Sequence, residues 1–180
     1  LAAATFVGHV VIDATAAHPT DRIVLNALDL DVQWVRVDGV ERPFTLDAAT
    51  ERLEVDAVVA EGAVSLEISF AGVLNDKLRG WYRSTYLDDS GVERVIAASQ
   101  MQATDCRRAF PCFDEPDFKA VFDVTLIVEP ALLALSNGPE VERTAIEPAG
   151  PSGHKVAVRF APTMPMSTYL VAFVVGPLEA

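Results

Sequence analysis

Apolar and polar residues alternate with period two over several stretches, most cleanly Val64-Ser65-Leu66-Glu67-Ile68-Ser69-Phe70, and again over Phe122–Leu126 and Val156–Phe160. Successive side chains of an extended chain point to opposite faces, so such runs predict strands with one face buried and the other wet. Asp38-Gly39 lies between Val35-Arg36-Val37 and Val40-Glu41. It supplies the positive φ angles of a two-residue hairpin turn. Tyr169–Val175 is almost continuously apolar, with Pro165 before it and Gly176-Pro177 after it, which predicts a central strand covered on both faces. Pro130–Leu135, closed by Asn137-Gly138-Pro139, predicts one or two helical turns, and no stretch sustains a 3.6-residue period. Glu142–Gly153, with Pro148, Gly150, Pro151 and Gly153, predicts an exposed hairpin loop. Many short strands separated by turn residues, without alternating helices, predict an all-β fold: an antiparallel β-sandwich or saddle of sheets with little helix. With 180 residues and no repeat or linker, the chain reads as a single domain over 1–180.

Charge narrows the partners. The net charge of −12 opposes binding to nucleic-acid phosphates, and only Arg107-Arg108 are adjacent among the 14 basic residues. Polar residues break every apolar run well before the roughly 20 residues of a membrane span. Leu1–Val7 has neither a basic nor a long apolar region, so no signal peptide is read there. Two cysteines, Cys106 and Cys112, are too few for a disulfide framework and favour a reducing, cytoplasmic setting. They read as buried free thiols, although their spacing leaves a disulfide open, with Pro111 restricting closure. His9, His18 and His154 lie far apart and none belongs to a His-Glu-x-x-His array, so no metal ligand is assigned.

The densest chemistry lies in Ala98–Pro116, which reads Ala-Ser-Gln-Met-Gln-Ala-Thr-Asp-Cys-Arg-Arg-Ala-Phe-Pro-Cys-Phe-Asp-Glu-Pro. Gln100 and Gln102, on alternate positions, either bond to each other or to a neighbouring loop, or present amide oxygens that can accept a hydrogen bond from an ammonium. Asp105, Arg107, Arg108, Asp114 and Glu115, flanked by Phe110 and Phe113, suit guanidinium–carboxylate pairs that pin an irregular loop. A catalytic pair of Asp114 and Glu115 is disfavoured, because adjacent residues of an extended chain point apart and no histidine or nucleophile accompanies them. Trp81-Tyr82-Arg83-Ser84-Thr85-Tyr86 reads as core-covering aromatics on a strand, with a ligand-stacking platform as the lesser reading.

Taken with Met166–Gly176, the Gln-x-Gln/Glu-x-x-x-x-Arg pattern and its proline-containing loop resemble the N-terminal domain of the M1 zinc aminopeptidases, relatives of aminopeptidase N and leukotriene A4 hydrolase. The resemblance runs from about Gly80 to Gly176 and includes the Gly-aromatic-Tyr-Arg-Ser segment. It implies a substrate-facing accessory domain of a larger enzyme, in which a zinc-bound water and a glutamate base hydrolyse the first peptide bond. It implies that Gln102 helps hold the peptide's amino terminus and that Gln100 shapes the neighbouring side-chain pocket. The family's His-Glu-x-x-His and Gly-x-Met-Glu-Asn motifs are absent from these 180 residues. The resemblance therefore implies that catalytic and metal residues, with the zinc, belong to a missing catalytic domain, and that this segment is inert alone. Two alternatives stand beside it: a free-standing β-sandwich that binds a peptide or protein, and a leukotriene A4 hydrolase-like parent, suggested by Cys106 and Gln-Met-Gln.

Overall fold

A computed structural model describes residues 1, 3–146 and 153–178. Among these residues fourteen strands form four antiparallel sheets, with two short 3-10 turns, Cys106–Arg108 and Thr168–Leu170. The first sheet runs β1 (Thr5–Ala16), β7 (Gly62–Val73), β3 (Leu30–Val37), β4 (Val40–Glu41). The second runs β2 (Thr20–Asn26), β6 (Arg52–Val59), β5 (Phe44–Asp47). A third orders β11 (Leu133–Ser136), β14 (Phe173–Gly176), β9 (Glu93–Gln100) and β8 (Gly80–Leu87), and the fourth β10 (Thr125–Val128), β13 (Lys155–Phe160), β12 (Glu140–Ile146).

Alternation decides which face each strand buries. On β7, Val64, Leu66, Ile68 and Phe70 point inward, and on β6, Leu53, Val55, Ala57 and Val59 meet them. Each fully buried Leu, Ile or Val contributes roughly 1.5–3 kcal/mol, so this core alone stabilises the first two sheets substantially. A second core gathers Leu126, Val128, Val158 and Phe160 from the fourth sheet with Ala97, Phe173 and Val175 from the third. Phe6 and Phe110 pack against both cores. Phe6 lies over Gly72, its partner across the β1–β7 ladder, and Phe70 covers Gly8 in the same way. A Cβ at Gly72 would fall 2.3 Å from the Phe6 ring, so the glycine is what admits the aromatic.

The Asp38-Gly39 hairpin forms as expected, with φ of 50° and 76°, and Asp38 Oδ1 accepts the Ser65 amide proton at 3.0 Å. Four other expectations need correction. Leu133–Ser136 is strand rather than helix, because its backbone pairs with β14 and its four residues alternate across the sheet. Of Phe122–Leu126, only Thr125 and Leu126 enter the ladder, while Phe122 and Val124 accept isolated bonds from Thr163 and Phe160. The run Tyr169–Val175 becomes strand only from Phe173, since Thr168–Leu170 coils into a 3-10 turn that leaves Tyr169 and Leu170 exposed. The resulting β14 does lie between two neighbours, but Val174 on its outer face is only half-buried. Glu142–Ile146 belongs to β12 rather than to a loop, and 147–152 lie outside the described residues.

Candidate functional site

The chain between β9 and β10 is where sequence and geometry converge. Gln100 is the last residue of β9, opposite Gly80, and Met101 after it is buried in the second core. That anchor leaves Gln100 and Gln102 on either side of it exposed. Gln100 Oε1 accepts the backbone proton of Gln102 at 3.2 Å, so the first amide fixes the backbone of the second. Among the described residues no hydrogen bond engages the exposed Gln102 side chain. Two surface depressions, one lined by Glu41, Arg42, Pro43 and Phe44 and the other by residues of β1, β7 and Asp38, include neither glutamine.

Behind this exposed turn, ion pairs hold the loop. Arg107, with a side chain only 10% exposed, donates from Nε to Asp114 Oδ2 at 2.9 Å and from Nη1 to Glu51 Oε2 at 2.8 Å. The Arg107 backbone N–H reaches the same Asp114 oxygen at 3.3 Å, and the Thr168 hydroxyl donates to Asp114 Oδ1 at 2.6 Å. Burial acts to lower the Arg107 pKa, but its hydrogen bonds and opposite charges from Asp114, then Glu51, outweigh that and raise it. Arg108 donates to Asp105 at 2.8 Å and pairs with Asp29 as well. The expected charge cluster is thus structural, except that Glu115 is exposed and stands outside it. Asp114 and Glu115 do part company, one buried and one in solvent, as adjacent extended residues must.

Cys106 and Cys112 are both buried free thiols. Their sulfurs and one Asp114 carboxylate oxygen all lie within 4.8 Å of one another. Burial, then the neighbouring Cys112 thiol and the Asp114 charge, push the Cys106 thiol well above its ordinary range. The trio does not suit a zinc ion: it offers three donors where structural sites use four, the Cys106 thiol resists ionisation, and both Asp114 oxygens are already engaged. His9 is exposed on the edge strand β1, 3.8 Å from Glu67, while His18 and His154 are exposed elsewhere. Trp81 packs on Phe6 and Phe173, with ring centroids at 5.0 and 5.6 Å, and Tyr86 donates to the Pro177 carbonyl, so this aromatic segment covers core.

Sequence reasoning missed the distant partners of the loop. Asn26 and Cys112 exchange backbone bonds in both directions, Asn26 Oδ1 accepts from the Asp114 amide, and Leu28 N–H donates to the Arg107 carbonyl. Nothing local in Thr20–Glu51 signals these contacts. Among the described residues no helix is long and apolar enough to cross a membrane.

The family model described as "Peptidase M1 N-terminal domain" matches residues 1–170. An aminopeptidase 2 of Candida albicans is 40% identical over 179 residues, covering 97% of this chain and 19% of its own length. A puromycin-sensitive aminopeptidase of Caenorhabditis elegans is 40% identical over 185 residues, with 97% and 19% covered. An aminopeptidase M1 of Arabidopsis thaliana is 39% identical over 187 residues, with 98% and 20% covered. The chain spans about a fifth of the length of the curated relatives it matches.

Proposed function

The chain belongs to the peptidase M1 N-terminal domain family, and on that premise we propose that residues 1–180 form one accessory domain of a zinc-dependent aminopeptidase. Its task is to present Gln102 to the free amino terminus of a peptide whose first residue is being removed. The observation that carries this reading is the Gln102 amide, held at the surface by buried Met101 and by Gln100, with no intramolecular bond among the described residues. A hydrogen bond from a substrate ammonium to that oxygen contributes roughly 1.5–3 kcal/mol. Gln100 acts through it, setting the Gln102 backbone and shaping the neighbouring pocket. The remainder of the site comes from the rest of the polypeptide, because a neutral amide can orient an ammonium but supplies neither nucleophile nor base. The metal belongs there too, since the Cys106, Cys112 and Asp114 group does not suit it. Alone, the domain is inert. Its reduced thiols accord with a cytoplasmic location.

The test is Gln102→Ala in the full-length enzyme, assayed on aminoacyl anilides. We expect kcat/KM to fall roughly tenfold to a hundredfold, the equivalent of that hydrogen bond, while the 180-residue chain by itself releases nothing. An unchanged kcat/KM would remove Gln102 from the site.

A further inference from the structure

We propose that Cys106 and Cys112 form a reversible disulfide under hydroperoxide, an oxidant-responsive clamp at the base of the loop that begins with Gln102. This goes beyond the substrate-holding role and does not depend on it. The two sulfurs face one another within 4.8 Å, inside the second core. A dry core position is ordinarily filled by a methyl or methylene group, and here two neighbouring positions carry thiols instead. The backbone already brings the two ends of the loop together. Cys106 opens a 3-10 turn whose carbonyl accepts from Ala109 and Phe110, and Cys112 is tied on both sides to Asn26. Closure requires the sulfurs to approach to about 2.05 Å, a movement that side-chain rotation and a small shift of the turn must supply.

The chemistry balances as two thiols oxidised by one peroxide. The sulfur of Cys112, the less completely buried of the two at 4% against 0%, attacks the O–O bond. A sulfenic acid forms and one water leaves. The Cys106 sulfur then attacks the sulfenic sulfur, the S–O bond breaks, and the hydroxyl departs as a second water with the thiol proton. Two electrons and two protons pass from the thiols to the peroxide. The burial of both groups makes the reaction slow and confines it to oxidants as small as hydrogen peroxide. The product adds, to a loop base held by the Arg107 and Asp114 pair, a covalent link that closes the seven residues from 106 to 112.

Trypsin reads the outcome directly, because Arg107 and Arg108 lie between the cysteines. The full-length polypeptide is exposed to hydrogen peroxide, blocked with iodoacetamide during unfolding, and digested. The expected product joins peptide 95–107 to peptide 109–119, weighs 2 Da less than their sum, and separates with dithiothreitol. In Cys106→Ala, dimedone should trap the sulfenic acid on Cys112. Recovery of both cysteines fully alkylated would overturn the proposal, as would sulfonic acid on Cys112 without the linked pair. Because the readout is a mass, its failure is separate from any failure of the Gln102 reading.

Discussion

Removing the Asp114 carboxylate should destabilise the domain far more than removing its partner's other ligand. The Asp114 side chain is 1% exposed and serves three donors: Arg107 Nε, the Arg107 amide and the Thr168 hydroxyl. In Asp114→Ala all three lose their acceptor, and the guanidinium keeps Glu51, which is 37% exposed, and the backbone carbonyl of residue 114, which its Nη2 reaches at 3.4 Å. Breaking a buried pair by deleting one partner costs about 3–5 kcal/mol, and the surviving Glu51 contact places this case near about 3 kcal/mol. Asp114→Asn keeps an oxygen for Arg107 and turns its NH2 to the Thr168 oxygen, so it loses mainly charge and should cost about 1.5 kcal/mol. Glu51→Ala, at a partly exposed position, should cost about 0.5–1 kcal/mol. Urea unfolding followed by tryptophan fluorescence, compared at constant m-value, gives the three costs. If Asp114→Ala and Glu51→Ala agree within about 0.5 kcal/mol, the argument that burial makes Asp114 the keystone of the loop is wrong.

Gly80 and Gly39 make a matched pair for backbone strain. Both have positive φ, 63° and 76°, but a Cβ at Gly80 would lie 2.6 Å from the Arg108 Cβ, whereas at Gly39 it meets open space. Gly39→Ala should cost about 1 kcal/mol, and Gly80→Ala about 2–3 kcal/mol, by the same urea assay. Cys106 predicts a loss of stability in alkali. Its folded pKa is raised above the ordinary 9.0, so its contribution is complete below pH 9.0 and fades as pH rises toward the folded value. The expected slope is about 1.4 kcal/mol per pH unit, and Cys106→Ala should abolish it in urea midpoints taken from pH 8 to pH 10.5. A slope that survives the substitution would assign the alkaline loss to another group.

Alternation made β7, β13 and the Asp38-Gly39 hairpin legible, because each buries one face and needs no distant information to choose it. The failures share a cause. Leu133–Ser136 carries helix-forming leucines, yet it is a strand because β14 supplies its hydrogen bonds. Tyr169 and Leu170 read as the start of a strand, but the turn they sit in is fixed by the Thr168 hydroxyl, drawn to Asp114 54 residues away, and by Ser167, drawn to the Pro116 carbonyl. The charge cluster was readable as a cluster, while its ties to Asp29 and Glu51 were not, since they span 79 and 56 residues. Of the site, the amides of Gln100 and Gln102 stood out through the motif they belong to. A bond between the two was one reading of their alternate spacing, but alternation does not specify that it runs from the Gln102 backbone to the Gln100 side chain.

Phe6 and Phe110 each belong to two cores at once, and this makes the domain a shared-wall structure rather than two adjoining rooms. Neither core can come apart without pulling a ring from the other, so the core of the first two sheets, which carries no part of the Gln102 turn, still supports that turn's rigidity. Sequence drift in β1 or β7 is therefore tied to a surface it never touches: a bulkier residue at Gly72 would displace Phe6 from the Trp81 ring, and Trp81 follows directly on Gly80, the residue that faces Gln100 across the sheet.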